Sequence, residues 1–246
     1  MITDIDIVIK SDRSVIGKEE KPTVEIIKGL YSLPFNDLIS KAHSIHNANF
    51  EPNTVQLSTL VNIKSGACPE DCSYCPQSIR YKTNVSTTTL MSVEDILEKA
   101  KKAKESGAGR FCMGAAWRSP KDKDLKVLLP VLKGIKELGL ETCMTLGMLT
   151  ASQADKLKEA GLDYYNHNLD TSENFYKKII TTRTFEQRLE TINNVQKSGI
   201  KVCCGGIIGL GETDNDRFEL LHVIASMEPQ PDSLAFFAFS SISSTL

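Results

Sequence analysis

Long apolar runs are missing from these 246 residues: none approaches the roughly 20 residues of a helical membrane span, so that class is set aside. One-sided charge is missing too. With 29 Lys and Arg against 31 Asp and Glu and no long block of either sign, no nucleic acid or other polyanion is the expected partner. The N-terminal MITDIDIVIKSDR is too acidic for a signal or transit peptide, and the expected compartment is the cytoplasm. The seven cysteines are odd in number and scattered, which argues against a disulfide framework and for metal or redox chemistry. Finally, the one dense cysteine stretch has no second CxxC partner, so a structural zinc would lack its closed set of four ligands.

The length suits one large α/β domain, since barrels of roughly 200 to 250 residues are often single units. Residues 1–22 are charged and aperiodic and are expected to form a mobile arm, leaving 23–246 as the domain. LPFNDLISKAHSIHNANF spaces Phe35, Leu38, Ile39, Ala42 and Ile45 along one helical face, as expected of a helix lying across one end of a larger body within an N-terminal cap of about 23–50. His43 and His46 form an HxxH on this helix with no further ligand nearby, and are read as structural.

From residue 90 a rhythm takes over. Helical segments end at Gly107, Gly139, Gly161 and Gly199, where a helix C-terminus needs a left-handed residue, and each is followed by a short apolar strand. Ser92 with Asp95, Thr150 with Gln153, Thr184 with Gln187 and Thr213 with Asp216 mark helix starts, the Gln pairs coming nearest to a strict capping box. With STLVNIKS (58–65) as first strand and DSLAFFAFS (232–240) as last, six strands alternate with helices. A doubly wound parallel sheet and a (β/α) barrel both fit this order.

In either architecture, functional residues gather where strands end and βα loops begin. GACPEDCSYCPQS follows the first strand and places Cys68, Cys72 and Cys75 within eight positions, with Pro69 and Pro76 favouring irregular backbone. Thiolates are the ligands of iron–sulfur clusters, and three of them on a four-iron cluster leave one iron open to a small molecule.

CPEDCSYC, a CxxxCxxC with an aromatic before its last cysteine, resembles the cluster loop of the radical S-adenosylmethionine (SAM) enzymes. The resemblance implies a TIM-type (β/α) barrel, a 4Fe-4S cluster on Cys68, Cys72 and Cys75, and SAM chelated by the open iron and cleaved reductively to a 5'-deoxyadenosyl radical. It also places Tyr74 near the adenine, with the glycine-rich strand end GGIIGLGE (Gly205, Gly206, Ile207) approaching it, although such glycines on their own more often just make a turn.

SGACPEDCSYCPQS, RFCMGAAWR, CMTLG, DYYNHNLDT and GGIIGLGET, in this order over roughly 55–232, are similar to the biotin synthase family within that superfamily. This implies a second, 2Fe-2S cluster on Cys112, Cys143 and Cys203, each early on an expected strand and at matching depth, that supplies sulfur to dethiobiotin. It also implies a reductant such as flavodoxin or ferredoxin, and a homodimer. Cys204 should face the other way and serve packing. On a strand, Asn166, Asn168 and Asp170 would share one face, where burial without a ligand would be costly. By resemblance Asn166 and Asn168 meet the ureido ring of dethiobiotin, Asn168 and Asp170 the ribose of SAM, and Arg188 its methionyl carboxylate, though a helix arginine is also commonly solvated. His167 is read as a satisfied histidine behind the strand.

The end of the sequence departs from the pattern. Only about six of the family's eight βα units are legible, the arginine that completes the two-iron cluster has no counterpart, and Phe237 stands where the family places an asparagine. An incomplete barrel with a bare apolar last strand is therefore expected. An inactive relic, a non-catalytic iron–sulfur protein and a radical enzyme of another specificity remain as alternatives.

Overall fold

The computed structural model describes residues 21–239. Its elements run α1 (Val24–Tyr31), α2 (Phe35–Asn49), β1 (Ser58–Lys64), α3 (Val93–Glu105), β2 (Arg110–Ala115), α4 (Asp122–Glu137), β3 (Glu141–Thr145), α5 (Ala151–Glu159), β4 (Tyr164–Asn166), α6 (Glu173–Ile179), α7 (Phe185–Lys197), β5 (Lys201–Ile208), α8 (Asp214–Ala225) and β6 (Ser233–Ala238). The glycines that close the helices adopt the left-handed conformation expected of them, with φ of 89° at Gly107 and 76° at Gly199. Thr213 and Asp216 form a full reciprocal capping box, so a short Asp serves where only the Gln pairs looked strict.

The six strands are all parallel and lie side by side in chain order, β1 to β6. A doubly wound sheet reverses its order at a switch point, and this sheet does not. It curls as a half-barrel, with helices outside and every strand's C-terminal end at one mouth. Between sheet and helices lies the main core, which takes Phe111, Met113, Met144, Tyr165, Val202 and Cys204. The alternate residues Cys112, Cys143, Tyr164 and Cys203 form a separate small cluster on the concave side. Cys204 thus packs away from Cys203, as period-two alternation requires.

Residues 1–20 of the expected arm lie outside the described residues, but Pro22 already touches the body, its carbonyl 2.9 Å from His222 Nδ1. Helix α2 forms as its periodicity indicates, yet none of its residues is buried and Phe35, Ile39 and Ile45 are exposed, because periodicity reports an apolar face and not the surface that covers it. Among the described residues β1 and β6 are the sheet edges, and β6 exposes Leu234, Phe236 and Phe237, as expected of a bare apolar strand.

Asp163, just before β4, links three elements. It accepts hydrogen bonds from Lys136 of α4 (2.8 Å) and from the Thr142 amide of β3 (2.8 Å). Burial works to raise its carboxyl, but these donors outweigh burial and hold it below the usual carboxylate range. A depressed folded-state value stabilises the fold above the unfolded value near 4 and loses that contribution as pH falls through it. Asp163→Asn is therefore expected to lower the urea midpoint at pH 7, with its difference from the parent chain shrinking below about pH 4, as equilibrium unfolding across pH will read.

Candidate functional site

At the mouth, where the strands end, a cavity of about 360 Å³ opens beneath the loop that follows β1. Cys68, Cys72 and Cys75 all line it, and none of the seven cysteines is disulfide-bonded. The loop is irregular, as its prolines indicate. Gly66 and Ala67 turn it through the left-handed region, and it closes on itself where the amides of Cys68 and Cys75 donate to the carbonyls of Gln77 (2.9 Å) and Cys72 (3.0 Å). Burial pushes the Cys68 and Cys75 thiols up.

Two carboxylates between the first two cysteines fasten this loop to the segment joining α6 and α7. Asp71 accepts from the amides of Thr181 (2.9 Å) and Thr182 (3.1 Å) and from both threonine hydroxyls. Burial would raise its carboxyl, yet these donors bring it down to about 2. Glu70, 2% exposed, accepts from Arg118 Nη1 (2.6 Å) and Thr182 Oγ1 (2.7 Å). Neither acid nor Arg118 was singled out in the sequence, where acids within a loop carry no periodicity; the signal available for the two acids was their position inside the cysteine spacing.

The opposite wall comes from the segment after β4. Only Tyr164–Asn166 is strand, so the alternation expected through Asp170 stops at Asn166. Asn166, His167, Asn168 and Asp170 all line the cavity, and the Oδ1 atoms of both asparagines and Nε2 of His167 are buried without a hydrogen-bond partner. His167 is therefore neither behind the strand nor satisfied. Burial, then the charges of Arg188 and Arg183, hold its imidazole well below the usual value, so it is neutral at pH 7. Arg183 Nε, on another residue of the lining, is unpaired as well, and since buried polar atoms are almost always paired in folded proteins, four unpaired ones around one cavity are acceptors and donors left for a ligand.

Asp170 has φ of 70° and bridges to Gly206. Its carboxylate pairs with Arg188 and accepts from the Tyr74 hydroxyl. Arg188 is 4% exposed, not a solvated helix arginine, and also donates to Tyr176 Oη (2.6 Å) and the Asn168 carbonyl (2.6 Å). From the glycine-rich strand end, Ile207 lines the cavity, whereas Gly205 and Gly206 press against Ala235 and against Leu220 and Asp170, leaving no room for a side chain. Glu212 accepts from the amides of Gly209 (2.8 Å) and Leu210 (2.7 Å) and closes the turn beyond. Phe237 reaches the cavity from β6.

Toward the N-terminal side of the strands sits the second cysteine group. Cys112 and Cys143 are ladder partners, but Cys203 pairs with Asn166, two positions past Tyr164, the ladder partner of Cys143. The three still meet on the concave face, each the third residue of its strand, because the strands of a curled sheet are staggered. Hydrogen bonding to Cys112 and Cys203, then burial, pushes the Cys143 thiol well up, and Ser233 Oγ donates to Cys203 Sγ at 2.7 Å. Arg110, 3% exposed, stacks over Tyr164 with its Cζ 3.6 Å from the ring centre and donates to Glu141 (2.9 Å).

Among the described residues no group of three or more His, Cys, Asp or Glu is drawn together tightly enough to hold a single metal ion. Three thiols lining one cavity are the kind of donor set that an iron–sulfur cluster takes, its thiolates spread over different irons.

The Radical SAM superfamily matches residues 62–224. The biotin synthase of Legionella pneumophila (strain Lens) is 59% identical over 220 residues, covering 89% of this chain and 70% of that protein. That of Cellvibrio japonicus (strain Ueda107) is 60% identical over 208 residues, covering 85% and 58%. Among solved structures, methylornithine synthase (PylB) superposes with a TM-score of 0.75 at 20% identity, over 90% of this chain and 65% of that one. The [FeFe]-hydrogenase maturase HydG superposes with a TM-score of 0.73 at 17% identity, over 88% and 50%; at such identities both report on the fold alone.

Removing the Asp170 carboxylate leaves the buried Arg188 guanidinium uncompensated. Breaking a buried ion pair from one side costs about 3–5 kcal/mol, so Asp170→Ala is expected to lower unfolding stability by that order in chemical denaturation, whereas Phe237→Ala, at an exposed position on β6, is expected to change it far less.

Proposed function

We infer function from family: the chain belongs to the radical SAM superfamily and, within it, to the biotin synthase family. Membership implies a 4Fe-4S cluster with SAM and, for biotin synthases, a 2Fe-2S cluster. The reaction inferred is radical insertion of sulfur into dethiobiotin to give biotin. What carries this reading is the pairing of one cavity with two cysteine groups, Cys68, Cys72 and Cys75 at its rim and Cys112, Cys143 and Cys203 on the concave face below.

The rim cysteines would hold the four-iron cluster and the lower three the two-iron cluster. When bound, these groups supply the electron that cleaves SAM and the sulfur that enters the product; the chain supplies position and dryness. The unpaired Oδ1 atoms of Asn166 and Asn168 are acceptors suited to the ureido N–H groups of dethiobiotin. Asn168 and Asp170 would meet the ribose of SAM, with Tyr74 and Ile207 beside the adenine. The family role of Arg188 toward the methionyl carboxylate requires it to share donors now given to Asp170, Tyr176 and the Asn168 carbonyl. No acid–base pair is needed, and a neutral His167 adds no charge to the cavity. Residues 23–246 are read as one barrel domain capped by α1 and α2, acting in the cytoplasm as a homodimer served by a flavodoxin- or ferredoxin-type donor, on the strength of the family resemblance.

The test is anaerobic cluster reconstitution followed by a single turnover with dethiobiotin, SAM and a reductant, following biotin and 5'-deoxyadenosine separately. Formation of both products is expected. Deoxyadenosine without biotin would overturn sulfur insertion while leaving the first site standing, and absence of both would overturn the reading. Alanine at Cys112, Cys143 and Cys203 is expected to abolish biotin while sparing cluster-dependent deoxyadenosine formation; an unchanged two-iron absorbance in those variants would contradict the lower site.

A further inference from the structure

Arg183 lines the cavity at the end of the α6–α7 segment, with its side chain 9% exposed. Its Nη2 lies 3.4 Å from Cys72 Sγ, within reach of an N–H···S hydrogen bond, and its Nε lies 3.5 Å from Glu70 Oε2. Its Nε is buried without a hydrogen-bond partner, so Glu70 holds the guanidinium by charge and not by a hydrogen bond. The preceding amides of Thr181 and Thr182 are tied to Asp71, and the guanidinium is drawn toward Glu70, itself held by Arg118 and Thr182. A carboxylate as deeply buried as Glu70 is costly unless paired with charge, and here two guanidinium groups pair with it, one of them turned onto a cysteine sulfur.

We propose that Arg183, with its guanidinium on the Cys72 sulfur and ion-paired with Glu70, is a positioning residue that sets the reduction potential of the iron–sulfur cluster held by Cys68, Cys72 and Cys75. The inference rests on the family reading of that loop and goes beyond it. Cluster potentials depend on net charge, hydrogen bonds to the sulfurs and solvent exposure. A cationic donor on a ligand sulfur stabilises the more negative, one-electron-reduced state and raises the potential; the Glu70 carboxylate acts in the opposite sense. Arg183 touches a ligand rather than the reacting atoms, so its effect is on how readily the electron enters.

The experiment is anaerobic reconstitution of the full chain and of Arg183→Gln, Arg183→Lys and Glu70→Gln, each titrated with titanium(III) citrate while the reduced-cluster EPR signal is followed. Arg183→Gln is expected to lower the reduced-to-oxidised ratio at fixed potential about tenfold, a shift of 59 mV to the negative for one electron. Arg183→Lys is expected to recover most of that shift, and Glu70→Gln to move the potential the other way. Opposite signs for the two positions distinguish electrostatic tuning from structural damage, which would deplete cluster in both without an ordered shift. An Arg183→Gln chain that keeps its cluster at the parent potential, or shifts of the same sign at both positions, would overturn the proposal. If Arg183→Gln holds no cluster, Glu70→Gln decides: a positive shift supports the proposal, and a negative shift or none overturns it. If the unaltered chain takes up no cluster, the family reading of the loop fails first and the proposal falls with it.

Discussion

The fastening of one loop to one distant segment governs the rest of this site. Three cysteines on irregular backbone would sample many arrangements, and a cluster needs them in one. Asp71 and Glu70, set between the first two cysteines, take the amides and hydroxyls of Thr181 and Thr182 and the guanidinium of Arg118. Hydrogen bonds to a charged acceptor are stronger than neutral ones, and those to the buried Glu70 are costly to leave unmade, so the loop after β1 cannot drift from the α6–α7 connection without losing several of them together. The cavity exists because that strap crosses the mouth of the sheet.

Below the strap, chemistry is sorted by the period-two geometry of the strands. Cys203 and Cys204 are neighbours in sequence, yet one joins Cys112 and Cys143 on the concave face and the other packs under the helices. Parallel strands in chain order add the second rule: all C-terminal ends, and therefore the β1 loop, the segment after β4 and the end of β5, arrive at one mouth. Residues more than a hundred positions apart, Tyr74 and Arg188 for instance, thus come to share one buried network around Asp170.

Much of this was legible in the sequence, and the reason differs by element. Helix ends were readable because glycine at C′ and Ser or Thr at the N-cap answer local backbone needs, and Gly107, Gly139, Gly161 and Gly199 all hold the conformation expected. The first cysteine group was readable from spacing, and the second from the family resemblance, with strand alternation separating Cys203 from Cys204. Ladder register was not: placing Cys203 beside Cys143 depends on the stagger of the curled sheet, which no local pattern encodes. Nor was the setting of His167 readable, since the strand ends at Asn166 and the chain then turns through a left-handed Asp170. Glu70, Arg118 and Arg183 escaped notice because a buried ion network joining loops leaves no periodic trace. The exposed stripe of α2 is the converse case, a legible pattern whose covering surface the sequence did not identify.

If Cys68, Cys72 and Cys75 hold a four-iron cluster, one iron is left without a protein ligand. Mössbauer spectra of the chain reconstituted with iron-57, recorded before and after adding SAM in the absence of reductant, address it directly. A four-iron spectrum is expected in which one iron of the four changes its isomer shift on addition of SAM while the other three keep theirs. A spectrum indifferent to SAM, or one of isolated single irons, would contradict it.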